Sequence, residues 1–166
     1  QTLVSQWRNG LQFKSEDGLF SMKVGGRLHL DYAYIDQSGM LPSIFGPEHD
    51  TGEFRRARIR LEGTLYGQFD YRMEFDFAGD GSGKFTDVWM QLADIPYLGA
   101  LKLGHFREPA GLDEQTSDNY STFTERNMAT ALLPGRNLGM MVYNGVFDQR
   151  LTWAFGIFKD VGSFPG

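Results

Sequence analysis

From Phe20 to Tyr34 the chain alternates between two kinds of residue. Even positions carry Phe20, Met22, Val24, Gly26, Leu28, Leu30, Tyr32 and Tyr34, and odd positions carry Ser21, Lys23, Gly25, Arg27, His29, Asp31 and Ala33. A period of two marks a β-strand with two unlike faces. Strands in globular proteins usually run about 5–6 residues. This one is more than twice that length. The pattern continues over residues 54–66, where Arg56, Arg58, Arg60, Glu62 and Thr64 alternate with Ala57, Ile59, Leu61, Gly63 and Leu65. Over 69–78, Asp70, Arg72, Glu74 and Asp76 alternate with Tyr71, Met73, Phe75 and Phe77.

Further strands are predicted at 85–94, 100–107, 138–146 and 150–159, with a short one at 11–14. Val88, Met90 and Leu92 oppose Asp87, Trp89 and Gln91. Leu151, Trp153, Phe155 and Ile157 oppose Thr152, Ala154, Gly156 and Phe158. The connections alternate in length. "YGQF", "IPYLG" and "GVFDQR" are short, "AGDGSGK" is intermediate, and "DQSGMLPSIFGPEHDTG" and "EPAGLDEQTSDNYSTFTERNMATALLPGR" are long. Membrane β-barrels have short turns at one end and longer loops at the other. The apolar faces suit hydrocarbon with a rim of tyrosine. Lys, Arg, Asp and Glu on the opposite faces would each cost several kcal/mol against lipid, so those faces must line water.

Composition agrees. The 166 residues are 41% hydrophobic and contain no run approaching a spanning helix. The mean hydropathy of −0.36 is what alternating strands produce on average. The 21 glycines and 14% aromatic content suit long strands with tight turns. A net charge of −5 argues against a nucleic-acid partner. The absence of cysteine rules out a disulfide framework. His29, His49 and His105 are scattered without metal-ligand spacing, so neither a metal nor any other cofactor is expected. "GDGSG" lacks the Lys-Ser/Thr of a phosphate-binding loop and the ligand spacing of an EF-hand, and reads as a turn.

The stretches "NGLQFKSEDGLFSMKVGGRLHLDYAY", "FRRARIRLEGTLYGQFDYRMEFDFA", "LKLGHFREPAGLDEQTS" and "TERN…LLPGRNLGMMVYNG" together resemble the phosphate-selective porin O and P family of Gram-negative outer-membrane channels. The resemblance implies an all-β antiparallel transmembrane barrel of sixteen strands, assembled as a homotrimer, with a third loop folded into the pore. About seven to eight strands are visible in the sequence. Residues 1–166 are therefore expected to be the N-terminal portion of one barrel domain, the remainder lying outside this sequence. The implied partners are outer-membrane lipid and small anionic solutes.

The resemblance also assigns residues. The "GGR" and "FRRA" motifs carry the pore-waist arginines of phosphate-selective members, which match Arg27, Arg55 and Arg56. Arg58 and Arg60 extend the same face, and Lys23 and Lys102 continue a basic track. Guanidinium stays charged at any working pH and offers a planar fork matched to oxyanions. Arg55 has the wrong parity for the lumen unless a bulge turns it. In the third loop Asn119, Glu125 and Arg126 are candidates for the constriction, or else Glu125 and Arg126 pin the loop to the wall. Thr122 and Glu125 have capping-box spacing, so a helical turn is predicted over 122–130, ending at Pro134 and Gly135. Two positions depart from the phosphate-selective pattern: Asn119 replaces a loop lysine, and Thr86 replaces an aspartate, with Asp87 adjacent. With Asp31, Glu62, Asp70, Glu74, Asp76 and Asp87 on the same faces, the alternative to an anion path is an ion-paired wall around a weakly selective channel.

Two other readings compete. A soluble β-sandwich binding module accounts for the alternation but not for the strand length. An outer-membrane barrel enzyme would need a nucleophile beside a histidine such as His29, and no nucleophile motif is present, so no catalytic residue is assigned.

Overall fold

The computed structural model describes residues 2–36, 46, 50–79, 83–117 and 126–159. Nine strands form one antiparallel sheet in chain order. They are β1 (Leu3–Trp7), β2 (Leu11–Ser15), β3 (Ser21–Ala33), β4 (Thr51–Leu65), β5 (Phe69–Asp76), β6 (Lys84–Ile95), β7 (Gly99–Arg107), β8 (Arg136–Val146) and β9 (Leu151–Lys159). Seven of these follow the sequence pattern at nearly the predicted bounds, and β2 is the predicted short strand. β1 was not predicted, because five residues are too few to display a period. No helix among the described residues is long and apolar enough to cross a membrane.

The tight turns are built by residues in the left-handed region, among them Tyr66 and Gly67 between β4 and β5, and Phe147, Asp148 and Gln149 between β8 and β9. Their length fixes the register, which places like faces together along the whole sheet. Ile59 pairs with Phe75 and Gly26, whereas Arg60 pairs with Glu74 and Gly25. The result is the reverse of a soluble protein. Leu28 and Ile59 are 66% and 56% exposed, and Leu30, Phe155 and Ile157 are exposed with them. Glu74 is 3% exposed, and Ser15, Thr86 and His105 are also buried. The sandwich reading requires the apolar face to be covered, and here it is bare.

Of three register shifts among the described strands, two adjust the charged face. Between His29 and Leu30 the β3–β4 register shifts, His29 opposing Arg56 and Leu30 opposing Phe54. Arg55 is the extra residue, and its Nη1 donates to Asp31 at 3.0 Å. The bulge turns Arg55 toward the polar face despite its parity. The second bulge separates Met73/Val88 from Phe75/Phe85. It sets Thr86 and Asp87 together across from Glu74. Thr86 Oγ1 donates to Glu74, and the Thr86 carbonyl lies 2.8 Å from His105 Nδ1. His105 thus serves the backbone of the bulge, which is a structural role.

Between β7 and β8 the chain leaves the sheet. It forms one helical turn, α1 (Leu112–Gln115), and later a 3-10 turn at Met128–Leu132. Of the predicted 122–130 turn only 126–130 is described, and there the 3-10 turn begins at Met128. Its cap is Asn127, whose side chain accepts from Ala129 N at 3.0 Å, and it ends at Leu133. Thr122, Asn119 and Glu125 lie outside the described residues.

Candidate functional site: a cationic cavity on the polar face

Six consecutive strands contribute side chains to one cavity of about 210 Å³. Arg27 comes from β3, Arg60 from β4, Arg72 and Glu74 from β5, Asp87 and Trp89 from β6, Lys102, Phe106 and Arg107 from β7, and Arg136 and Met141 from β8. Side chains so far apart in the sheet can share one space only because the sheet curls around its charged face. Gln115 and Ser117 complete the lining, so the start of the third loop folds inward over the wall.

Six cations and two carboxylates line this space, an excess of four positive charges. Across β3 and β4 like charges face each other where Arg27 stands opposite Arg58. Such pairs are unfavourable unless a neighbouring strand compensates, and β5 supplies the compensation. Glu74 receives Arg58 at 3.1 Å and Arg27 at 3.7 Å. Asp76 receives Arg58 Nε at 2.5 Å and the amides of Ala57 and Ala78. Glu62 is shared by Arg72 at 2.8 Å, Arg60 at 3.5 Å and Lys23 at 3.9 Å. On the far side Arg136 forks onto Asp87 at 3.2 and 3.3 Å. Fork-on-carboxylate pairs fix both partners in space as well as in charge.

The candidates named from sequence therefore divide. Arg27, Arg60 and Lys102 meet in the cavity. Arg58 is buried against Glu74 and Asp76, Arg56 lies 3.2 Å from His29 Nδ1, Arg55 is paired with Asp31 and Lys23 with Glu62. None of these four lines the cavity. Arg126 donates to the carbonyls of Asp113 and Thr116 and lies 3.6 Å from Glu114, which Arg107 of the wall approaches at 3.1 Å. Glu114 thus ties the returning loop to β7, which is the pinning alternative for Arg126. Arg107 and Arg136 were not singled out from sequence. Both sit at strand ends beside the long loop, where alternation is too short to assign a face. The Nε of Arg60 is buried without a hydrogen-bond partner.

Close packing at β7 shapes the site. Gly104 opposes Trp89 with φ +133°, and a Cβ there would lie 2.3 Å from the Val88 carbonyl oxygen and 2.7 Å from Trp89 Cα. Only glycine allows the two strands this approach. Among the described residues no group of His, Asp or Glu could hold a metal ion.

Comparison with known proteins agrees with the geometry. The family model for phosphate-selective porin O and P matches residues 22–161. Porin O of Pseudomonas aeruginosa is 35% identical over an alignment of 173 positions covering 99% of this chain. The chain spans about 39% of the length of that relative. With a family match over most of its residues, nine antiparallel strands, a bare apolar face and a charged face curled inward, this chain belongs to the phosphate-selective porin O and P family.

Proposed function

We propose that residues 1–166 form the N-terminal portion of one outer-membrane porin barrel, a water-filled channel for passive diffusion of small solutes with a preference for anions, phosphate among them. The observation that carries this reading is the cavity itself, where six cations face two carboxylates on the concave side of a sheet whose convex side is apolar and exposed. A low-dielectric wall focuses the field of such groups into the water between them and raises the local anion concentration. Bare strand edges cannot face lipid, and among the described residues β1 and β9 each have one unpaired edge. Further strands of a longer chain would close the barrel across those edges. The surface that meets lipid is the Leu28, Ile59, Phe155 face, and the assembled state is a homotrimer. The chemistry is that of a channel rather than an enzyme.

The test is a reversal potential. The full-length protein, reconstituted in a planar bilayer under a tenfold KCl gradient, should show a reversal potential on the chloride side of zero. A cation-selective or non-conducting protein would refute the reading.

A further inference from the structure

Lys102 differs from every other cation of the cavity. Arg27, Arg60, Arg72, Arg107 and Arg136 each have a carboxylate within 3.7 Å. Lys102 has no carboxylate within ion-pair distance and no hydrogen bond among the described residues, Asp87 and Asp70 attracting it only from farther off. Its ammonium lies instead over three rings, 4.3 Å from Trp89, 5.2 Å from Tyr143 and 5.4 Å from Phe106. A ring face attracts a cation but accepts none of its hydrogen bonds as a carboxylate would. The three N–H donors stay available, and a four-carbon stem lets them move.

Its position gives that freedom a use. Below the cationic cavity, toward the short turns, lies a second cavity of about 680 Å³, whose lining includes Asp94, Gly99, Asn144, Gly145 and Gln149. Lys102, Gln115 and Met141 line both spaces. Asp94 and Lys102 are the charged side chains of the second cavity, so beyond the junction the excess of positive charge is gone. Among the residues that line the two cavities, Lys102 is the last cation that an anion leaving the arginines meets.

We propose that Lys102 is the hand-over site for small oxyanions between the two cavities, its ammonium resting on the Trp89, Phe106 and Tyr143 rings until an anion draws it off. The rings hold the charge in place without neutralising it. A carboxylate in their position would compete with the permeant ion. This rests on the channel reading above and assigns it a specific step.

The rings and the lysine then have opposite effects, which a purely structural role would not produce. Sulfate block of chloride current is measured on the full-length channel in planar bilayers. Lys102→Gln should weaken the block about fivefold or more, and Lys102→Arg should keep it. Trp89→Leu should strengthen the block about threefold, the size of one lost cation–π competitor, and Tyr143→Leu should act in the same direction. A block unchanged in Lys102→Gln, or weakened by the ring variants as it is by Lys102→Gln, overturns the proposal. If the unaltered channel prefers chloride and Lys102→Gln behaves like it, this step alone falls. An unaltered channel without anion preference overturns the channel reading and this step together.

Discussion

Replacing Glu74 with glutamine separates the two roles of the wall, ion-paired scaffold and charged conduit. Glu74 holds Arg58 at 3.1 Å, Arg27 at 3.7 Å and Thr86 Oγ1 at 3.0 Å, and its side chain is 4% exposed. Glutamine keeps the shape and an acceptor for Thr86 but removes one negative charge from the cavity lining. A hydrogen bond to a charged group contributes about 1.5–3 kcal/mol, so the folded barrel should lose about 2–3 kcal/mol. For the permeating ion, one charge at roughly 5 Å in water is about 0.8 kcal/mol. Screening with a Debye length of about 8 Å reduces this to about 0.4–0.5 kcal/mol. That is about a twofold rise in local anion concentration and a twofold fall for cations. The chloride-to-potassium permeability ratio of Glu74→Gln should therefore rise about fourfold, read from the reversal potential under a KCl gradient. The variant should still assemble, with an earlier heat-induced shift in gel mobility. An assembled variant whose ratio is unchanged or lower would show that the cavity charges do not set selectivity.

Three further outcomes follow from the same geometry. Arg58→Gln leaves the buried Glu74 and the half-buried Asp76 without their shared cation; it should destabilise the barrel by about 3 kcal/mol, seen as loss of heat-stable assembled protein rather than as a selective change in permeability. Ile59→Arg puts a charge on the apolar face and should cost about 2–4 kcal/mol near the bilayer midplane, abolishing assembly, whereas Thr152→Arg on the polar face should assemble normally. Gly104→Ala forces a Cβ to within 2.3 Å of the Val88 carbonyl oxygen and should reduce assembled channel in the membrane fraction, because both φ and backbone spacing reject it.

Much of this was legible in the sequence because β-strand periodicity is local. Arg60 and Ile59 are adjacent, and their assignment to opposite faces needs nothing beyond the pleat. Alternating connection lengths told the rest of the topology. The function of each charge was less legible, because it depends on register between strands. Arg58 looks like Arg60 along the chain, yet Glu74 and Asp76 of β5 engage the first and leave Arg60 on the cavity wall. The bulge that pairs Thr86 with Glu74 and brings Asp87 beside it for Arg136 has no signature in "KFTDVW". Arg107 and Arg136 are recognised only once the long loop between them is seen to return to the wall through Glu114. Trp89, Phe106 and Tyr143 read as ordinary strand aromatics until three strands bring them around Lys102.

The account rests on the claim that the charged face of β4 lines a conducting, water-filled path while its apolar face meets lipid. Residues 1–166 contain no cysteine, so in a full-length protein with any other cysteine replaced, single cysteines can be introduced one at a time. The decisive measurement is single-channel current through full-length Arg60→Cys and Ile59→Cys channels during exposure to a negatively charged aqueous methanethiosulfonate reagent. Modification of Arg60→Cys should lower chloride conductance in discrete steps, one per subunit, and Ile59→Cys should show no change. Steps in Ile59→Cys, or a current indifferent to modified Arg60→Cys, would contradict the claim.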